Sequence, residues 1–223
     1  DQTNGLPTDE ANAVLQTRDG YLWVGSYGGL LRFDGSEFHN FSTEGAIATP
    51  SIRCLFEDSV GRLWIGSSDA GVFVYENGVF TAVPCTKKNS YLSIRDFAEG
   101  RDGTIYVAST SGVCRVRSGL LVPYSNPYII GETAYALGIN RYGRLWCAMS
   151  TGKCAVMQDD RVLAMLDAEL FFEDGSVISC LTSDRANNIY LGTNGSMLAK
   201  VACSGQRLDG TAFTVQTYEV TDA

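Results

Sequence analysis

Five polar residues stand at one fixed place in a recurring pattern. Asn12, Arg53, Arg95, Tyr135 and Ser179 each lie eleven positions ahead of an aromatic residue, namely Trp23, Trp64, Tyr106, Trp146 and Tyr190. The two arginines carry the strongest chemistry in this set. A guanidinium presents its donors as a fixed fork that matches a carboxylate, a phosphate or a pair of sugar hydroxyls. Predicted loops at the same end of the pattern hold Tyr27 and Asp69, with Tyr91, Tyr124, Tyr128 and Asn194. These are groups suited to stacking on and hydrogen-bonding a carbohydrate or other small ligand. The competing reading is solvation alone, because side chains around a water-filled channel are polar with or without a ligand.

Other chemistry is sparse. The single histidine, His39, falls in the segment EFHNF, read as an exposed outer strand, with no nucleophile or metal partner in register. The acidic pairs Asp159-Asp160 and Asp9-Glu10 fall in turns or loops, where such residues shape the chain. Asp58 and Asp184, with Asn140 equivalent, precede their aromatics by six residues and are expected to hydrogen-bond a hairpin turn. No catalytic residue, cofactor or metal is expected.

Seven cysteines occur without a CxxC spacing and without histidine partners, so neither a disulfide framework nor a zinc site is indicated. One pairing is open: if Ser150-Thr151 forms a two-residue turn, Cys147 faces Cys154 across the strands, with the geometry for a disulfide. A net charge of −8 argues against a nucleic-acid partner, which requires clustered Lys and Arg. No run of 18 apolar residues exists, so any membrane attachment would use segments outside this chain.

The elements that must position these residues are repeats. The segment DGYLWVGSYGGL from Asp19 returns as GRLWIGSSDAGV from Gly61, GTIYVASTSGV from Gly103, GRLWCAMSTGK from Gly143 and NNIYLGTNGSM from Asn187. The aromatic anchors are 41, 42, 40 and 44 residues apart. Three residues before each anchor stand Gly20, Gly61, Gly103, Gly143 and Asn187, types that tolerate positive φ and so mark a turn. Two residues after it stand Gly25, Gly66, Ala108, Ala148 and Gly192, small enough for a neighbouring strand to approach closely.

An apolar segment precedes each turn and two follow the anchor, so each unit reads as four strands. Four-stranded units of this length with a glycine and aromatic signature predict an all-β fold, a β-propeller of five antiparallel blades. The expected blades are residues 11–43, 51–84, 93–124, 133–167 and 176–219, forming a closed five-bladed ring or part of a larger, for example seven-bladed, one. A sandwich of short strands accounts for the strands but not for the recurring marks.

The stretch GLPTDEANAVLQTRDGYLWVGSYGGLLRFDG, Gly5 to Gly35, resembles the repeat of the two-component regulator propellers, as does SIRCLFEDSVGRLWIGSSDAGVFVY, Ser51 to Tyr75. Units three and five depart from it by carrying Tyr for Trp. The resemblance implies a non-enzymatic extracytoplasmic sensor domain of a membrane-anchored bacterial receptor, such as a hybrid histidine kinase or diguanylate cyclase. The register, not the resemblance, supplies the expected site: a small molecule or oligosaccharide held at the channel mouth by Arg53, Arg95, Tyr135, Asn12, Ser179, Tyr27 and Asp69. Rival expectations are an interaction scaffold, including a homodimer through blade faces, and an enzyme similar to the propeller lyases that inactivate antibiotics.

Overall fold

The computed structural model describes residues 10–42, 47, 49, 51–87, 92–159, 161–172, 176–184, 186–203 and 213–219. It contains five separate four-stranded sheets, each an antiparallel meander in chain order. The first holds β1 (Ala13–Gln16), β2 (Leu22–Ser26), β3 (Gly29–Phe33) and β4 (Phe38–Asn40). The second holds β5 (Ile52–Glu57), β6 (Leu63–Ser67), β7 (Val72–Glu76) and β8 (Val79–Val83). β9 (Ile94–Glu99), β10 (Ile105–Ser109), β11 (Gly112–Arg117) and β12 (Leu120–Pro123) form the third. β13 (Ala134–Ile139), β14 (Leu145–Met149), β15 (Lys153–Gln158) and β16 (Arg161–Asp167) form the fourth. The fifth is β17 (Ile178–Ser183), β18 (Asn188–Thr193), β19 (Met197–Cys203) and β20 (Phe213–Glu219). One turn of 3-10 helix, Ala168–Leu170, is the helix among the described residues, and none is long enough to cross a membrane.

The recurring residues act as the spacing predicts. The position three before each anchor is a left-handed turn in all five units, with φ of 93° at Gly20, 88° at Gly61, 78° at Gly103, 75° at Gly143 and 74° at Asn187. The polar residue three positions earlier closes that turn. Asp58 Oδ1 accepts from the backbone N–H groups of Val60 and Arg62, and its Oδ2 accepts from Trp64 Nε1 at 2.8 Å. Asp184 repeats the device, accepting from Asn188 N–H and the Tyr190 hydroxyl. Asn140 does so with the N–H groups of Tyr142 and Arg144. Where the third unit has Gly100 in this place, Asp102 takes over by accepting from Thr104 N–H.

The core lies between successive sheets. Trp23 packs with Ile52, Leu63, Ile65 and Phe73 of the second sheet. Trp64 packs with Ile94, Phe97, Ile105 and Val107 of the third, and Trp146 with Ile178, Leu181, Ile189 and Leu191 of the fifth. Small residues after the anchors admit the next sheet's first strand: a Cβ on Gly25 would lie 2.6 Å from Ile52 Cγ2, and one on Gly66 2.6 Å from Ile94 Cγ2. Radial stacking of this kind is the packing of a β-propeller.

Hydrogen bonds also tie neighbouring sheets together. The Glu57 carboxylate accepts from Arg18 N–H and the Glu99 carboxylate from Ser59 N–H, the same clamp one repeat apart. On the outer side, Pro84–Thr86 runs beside β12, with Thr86 N–H donating to Leu121 O at 2.9 Å.

Among the described residues the first and fifth sheets are not joined as the others are. β1 packs on β5, β5 on β9, β9 on β13 and β13 on β17, but among the described residues no comparable packing joins β17 to β1. Val14 shows the consequence. Its counterparts Phe97, Leu137 and Leu181 are buried between sheets and Leu55 is half-buried, whereas Val14 is 60% exposed.

The two-residue turn that would set Cys147 opposite Cys154 does not form. The turn after β14 spans Ser150–Gly152, with Gly152 at φ 75°, so Cys147 pairs with Ala155 and Ala148 with Cys154. One extra turn residue puts the two thiols on opposite faces, and neither is in a disulfide.

Candidate functional site

The first strand of each sheet lines the central channel, and four of the five carry a β-bulge at the same place. In β5, Ile52 pairs with Ser67 and Cys54 with Gly66, leaving Arg53 as the extra residue. The same break leaves Arg95 unpaired in β9, Tyr135 in β13 and Ser179 in β17. Asn12 precedes β1 at the equivalent position, its N–H donating to Gly25 O. A bulge interrupts the in-and-out alternation of a strand and re-aims the side chain it carries. Four of the five residues picked out by register are thus bulge residues, which the spacing alone did not reveal.

The turns between second and third strands lie at this same end. Ser68 N–H donates to Ser51 O, Thr110 N–H to Ser93 O, and Ser150 N–H to Thr133 O, fastening each turn to the entry of its own first strand. This places Tyr27, 49% exposed, and Asp69, also exposed, at the end where the bulges lie. Asp69 is held there by Thr49 Oγ1, which donates to its carboxylate at 2.6 Å. Tyr91 lies outside the described residues. Tyr124 turns outward instead, against Arg115 and Tyr106 over the third sheet.

Arg53 and Arg95 belong to adjacent strands, and both guanidinium charges act on the Sγ of Cys54, drawing its pKa down against the larger upward push of burial. Neither makes an ion pair among the described residues, and Arg95 Nε is buried without a hydrogen-bond partner. Two cations with open donors therefore stand side by side at one end of the channel. Asn12 and Ser179 are partly committed, Asn12 Nδ2 donating to Ile52 O at 2.8 Å and Ser179 Oγ to Gly192 O at 3.4 Å. Tyr135 rests on the core between the fourth and fifth sheets.

Two features escaped the sequence reading. Asp96, next to Arg95, accepts from Phe97 N–H through Oδ1 and from Leu137 N–H of β13 through Oδ2, each at 2.8 Å. Burial pushes its carboxyl up to about 6, the two hydrogen bonds opposing the rise. The signal was present: the other four units carry Ala13, Cys54, Ala136 and Cys180 at this position, all small and weakly polar. The second feature is a cavity of about 400 Å³ above the third sheet, lined by Thr86, Lys87, Leu92, Ser111, Tyr124 and Ile130 among others. It is assembled from connections distant in sequence, so no local motif announces it.

Comparison with known proteins agrees with the fold. Residues 5–28 and 47–69 match the two component regulator propeller family. The two matched segments hold the first two anchors, Trp23 and Trp64. The fold is shared with the extracellular domain of a hybrid two-component system from B. thetaiotaomicron, at 18% identity and a TM-score of 0.74 over 97% of this chain and 29% of that one. It is shared equally with virginiamycin B lyase from Staphylococcus aureus, at 13% identity and a TM-score of 0.74 over 93% of this chain and 69% of the lyase. A catalytically inactive lyase variant, in which one histidine is replaced by alanine, aligns over 98% of this chain and 74% of its own, with 12% identity and a TM-score of 0.74. The chain thus spans less than a third of the two-component relative. No curated protein matches the sequence.

Proposed function

We propose that this propeller, built in part from two-component regulator propeller repeats, is the extracytoplasmic sensor domain of a membrane-anchored bacterial receptor. It binds a small anionic or carbohydrate ligand at the channel end ringed by bulges and does not transform it. The observation that carries this reading is the repeated bulge, which sets Arg53 and Arg95 on adjacent strands, with Arg95 Nε unpartnered among the described residues. A carboxylate or phosphate would accept from the two forks, with Tyr27 and Tyr135 offering aromatic faces and Asp69 an acceptor for hydroxyls.

The extracellular two-component relative supports a sensor role through its shared fold. The lyase likeness supports an enzyme less well. That enzyme is inactivated by loss of one histidine, whereas the single histidine of this chain, His39, sits exposed on β4 with its ring 4.5 Å from Phe41. Binding at the mouth would signal by favouring one of two arrangements of the receptor, which requires different affinities for the two. Asp96, which ties the strand of Arg95 to β13, provides a mechanical route from ligand to neighbouring sheet.

The test is a thermal-shift screen of uronic-acid oligosaccharides and short dicarboxylic acids, with chromatographic recovery of any compound that binds. The expected outcome is a rise in Tm with the compound recovered unchanged. Conversion of a bound compound to product contradicts the sensor reading.

A further inference from the structure

At the end of the channel away from the bulges, carboxylates fasten the turn of one sheet to the first strand of the next, and one fastening is missing. The residue that ends a first strand, seven positions ahead of the anchor, is Glu57 in the second sheet and Glu99 in the third. Each reaches back to a backbone N–H of the preceding sheet's turn. Arg18 N–H donates to both oxygens of Glu57 at 3.1 Å, and Ser59 N–H donates to Glu99 Oε2 at 2.7 Å. In the fourth sheet this place is taken by Ile139, whose side chain has no acceptor to offer Arg101 N–H, the next in the series. The following N–H, that of Arg141, is satisfied again, by Asn187 Oδ1 at 3.1 Å. Of these four N–H groups, that of Arg101 is the one with no side-chain acceptor among the described residues.

Where the carboxylate is lacking, a cavity of about 370 Å³ opens beside the third, fourth and fifth sheets, lined by Glu99, Arg101, Ile139, Arg141 and Asp184 among others. Its acids are already committed. Glu99 accepts from the N–H and the hydroxyl of Ser59, and Asp184 accepts from the N–H and Nδ2 of Asn188 and from the Tyr190 hydroxyl. Its cations are less so. Arg101 and Arg141 are exposed, and neither makes an ion pair among the described residues, although Arg141 donates one N–H to the Tyr142 hydroxyl. The Arg101 stem lies against the fourth sheet's turn, its Cδ 4.0 Å from the place of a Cβ on Gly143. Asn140 also lines the cavity, and its buried Nδ2 has no hydrogen-bond partner, so donors outnumber acceptors around it.

We propose that this cavity is a carboxylate-binding site, in which a ligand takes the place that a glutamate of the chain holds at the two preceding junctions. One ligand oxygen accepts from Arg101 N–H, as Glu57 and Glu99 accept from their N–H groups, and the Arg101 and Arg141 guanidinium groups neutralise the charge. Ile139 offers an aliphatic surface to a short methylene stem. The chemistry fits a free dicarboxylic acid or the glutamate side chain of a peptide. Arg53 and Arg95 lie at the opposite ends of the first strands and take no part in it.

The test titrates the isotope-labelled 223-residue chain with glutarate and with N-acetyl-glutamate methylamide, following the Arg101 backbone amide by NMR. A saturable downfield shift of that amide is expected. The tighter probe identifies the source, glutarate marking a free acid and the capped glutamate an acidic peptide segment; saturation by neither overturns the proposal. Ile139→Glu rebuilds the fastening within the chain, so its Arg101 amide is expected to lie downfield before any addition and both probes to bind at least about tenfold more weakly, the loss of one charge-assisted contact. A variant that responds like the wild type overturns the proposal. Should Ile139→Glu not fold, the exposed pair Arg101→Ala/Arg141→Ala replaces it, with the same weakening expected and unchanged affinity as the contrary result. In Arg53→Ala/Arg95→Ala the shift at Arg101 is expected to persist undiminished; its disappearance there would assign the acid to the bulge ring and overturn the proposal.

Discussion

Asp96 shows how a single side chain can both join two sheets and tune their stability. Its carboxylate accepts from the backbone of β9 and of β13, yet burial raises its pKa from 3.8 to about 6. The folded state therefore holds this proton more tightly than the unfolded chain. The resulting contribution makes the protein less stable as pH rises from about 4 to about 6, and constant above that. Asp34, Asp58, Asp102 and Asp184 act in the opposite sense, their carboxyls held below the usual value by hydrogen bonds, so their contribution is lost as pH falls below about 4. Urea unfolding of the wild type and Asp96→Asn across pH 4 to 7 is expected to show the decline between 4 and 6 in the wild type and its absence in the variant. A parallel course for both proteins would remove Asp96 as its source. At this scale the sequence was partly legible. Register picked out Arg53 and Arg95, and turn chemistry picked out Asp58, Asn140 and Asp184. The bulges were not visible, because an inserted residue in one strand leaves the spacing from turn to anchor unchanged. The Cys147 and Cys154 faces were misassigned because a third turn residue, Gly152, reverses them.

At the scale of the element, each blade interface repeats one fitting: an aromatic anchor, a small residue two positions on, and an aliphatic residue from the next first strand. Trp146 is completely buried in this fitting, and Trp146→Ala is expected to cost about 3–5 kcal/mol in urea unfolding. Tyr190→Ala, at the half-buried anchor of the fifth sheet, is expected to cost about 1 kcal/mol. Equal losses would mean that the fifth anchor is as deeply packed as the fourth. The glycines make the complementary comparison. A methyl on Gly66 must displace Ile94 and Cys54, an overpacking expected to cost about 1–3 kcal/mol. Gly192→Ala needs only a small rotation of Cys180, and its Tm is expected to stay close to the wild type. These fittings were readable in the sequence because their chemistry demands unusual residue types at fixed spacing. Which of these glycines meets a next sheet among the described residues was not readable, since Gly192 and Gly66 look alike until the packing is seen.

At the scale of the molecule, the fold follows from repetition: no single blade can cover its own faces, so five similar units must stack. The extent of closure depends on the angle between sheets, which leaves no mark in any one repeat. The proposed function rests on the same repetition, since the bulge in four first strands, with Asn12 at the equivalent place in the other, sets one polar side chain per blade around one end of the channel. The account stands or falls on whether Arg53 and Arg95 hold a ligand there. Isothermal titration of the best-binding acid or oligosaccharide with wild type and with the Arg53→Ala/Arg95→Ala double variant tests this most directly. Loss of two forked charge-assisted contacts, each about 1.5–3 kcal/mol, predicts at least a hundredfold weaker binding with the fold and Tm retained. Equal affinity in a folded double variant would contradict the site and leave the bulge ring as the lining of a water-filled channel.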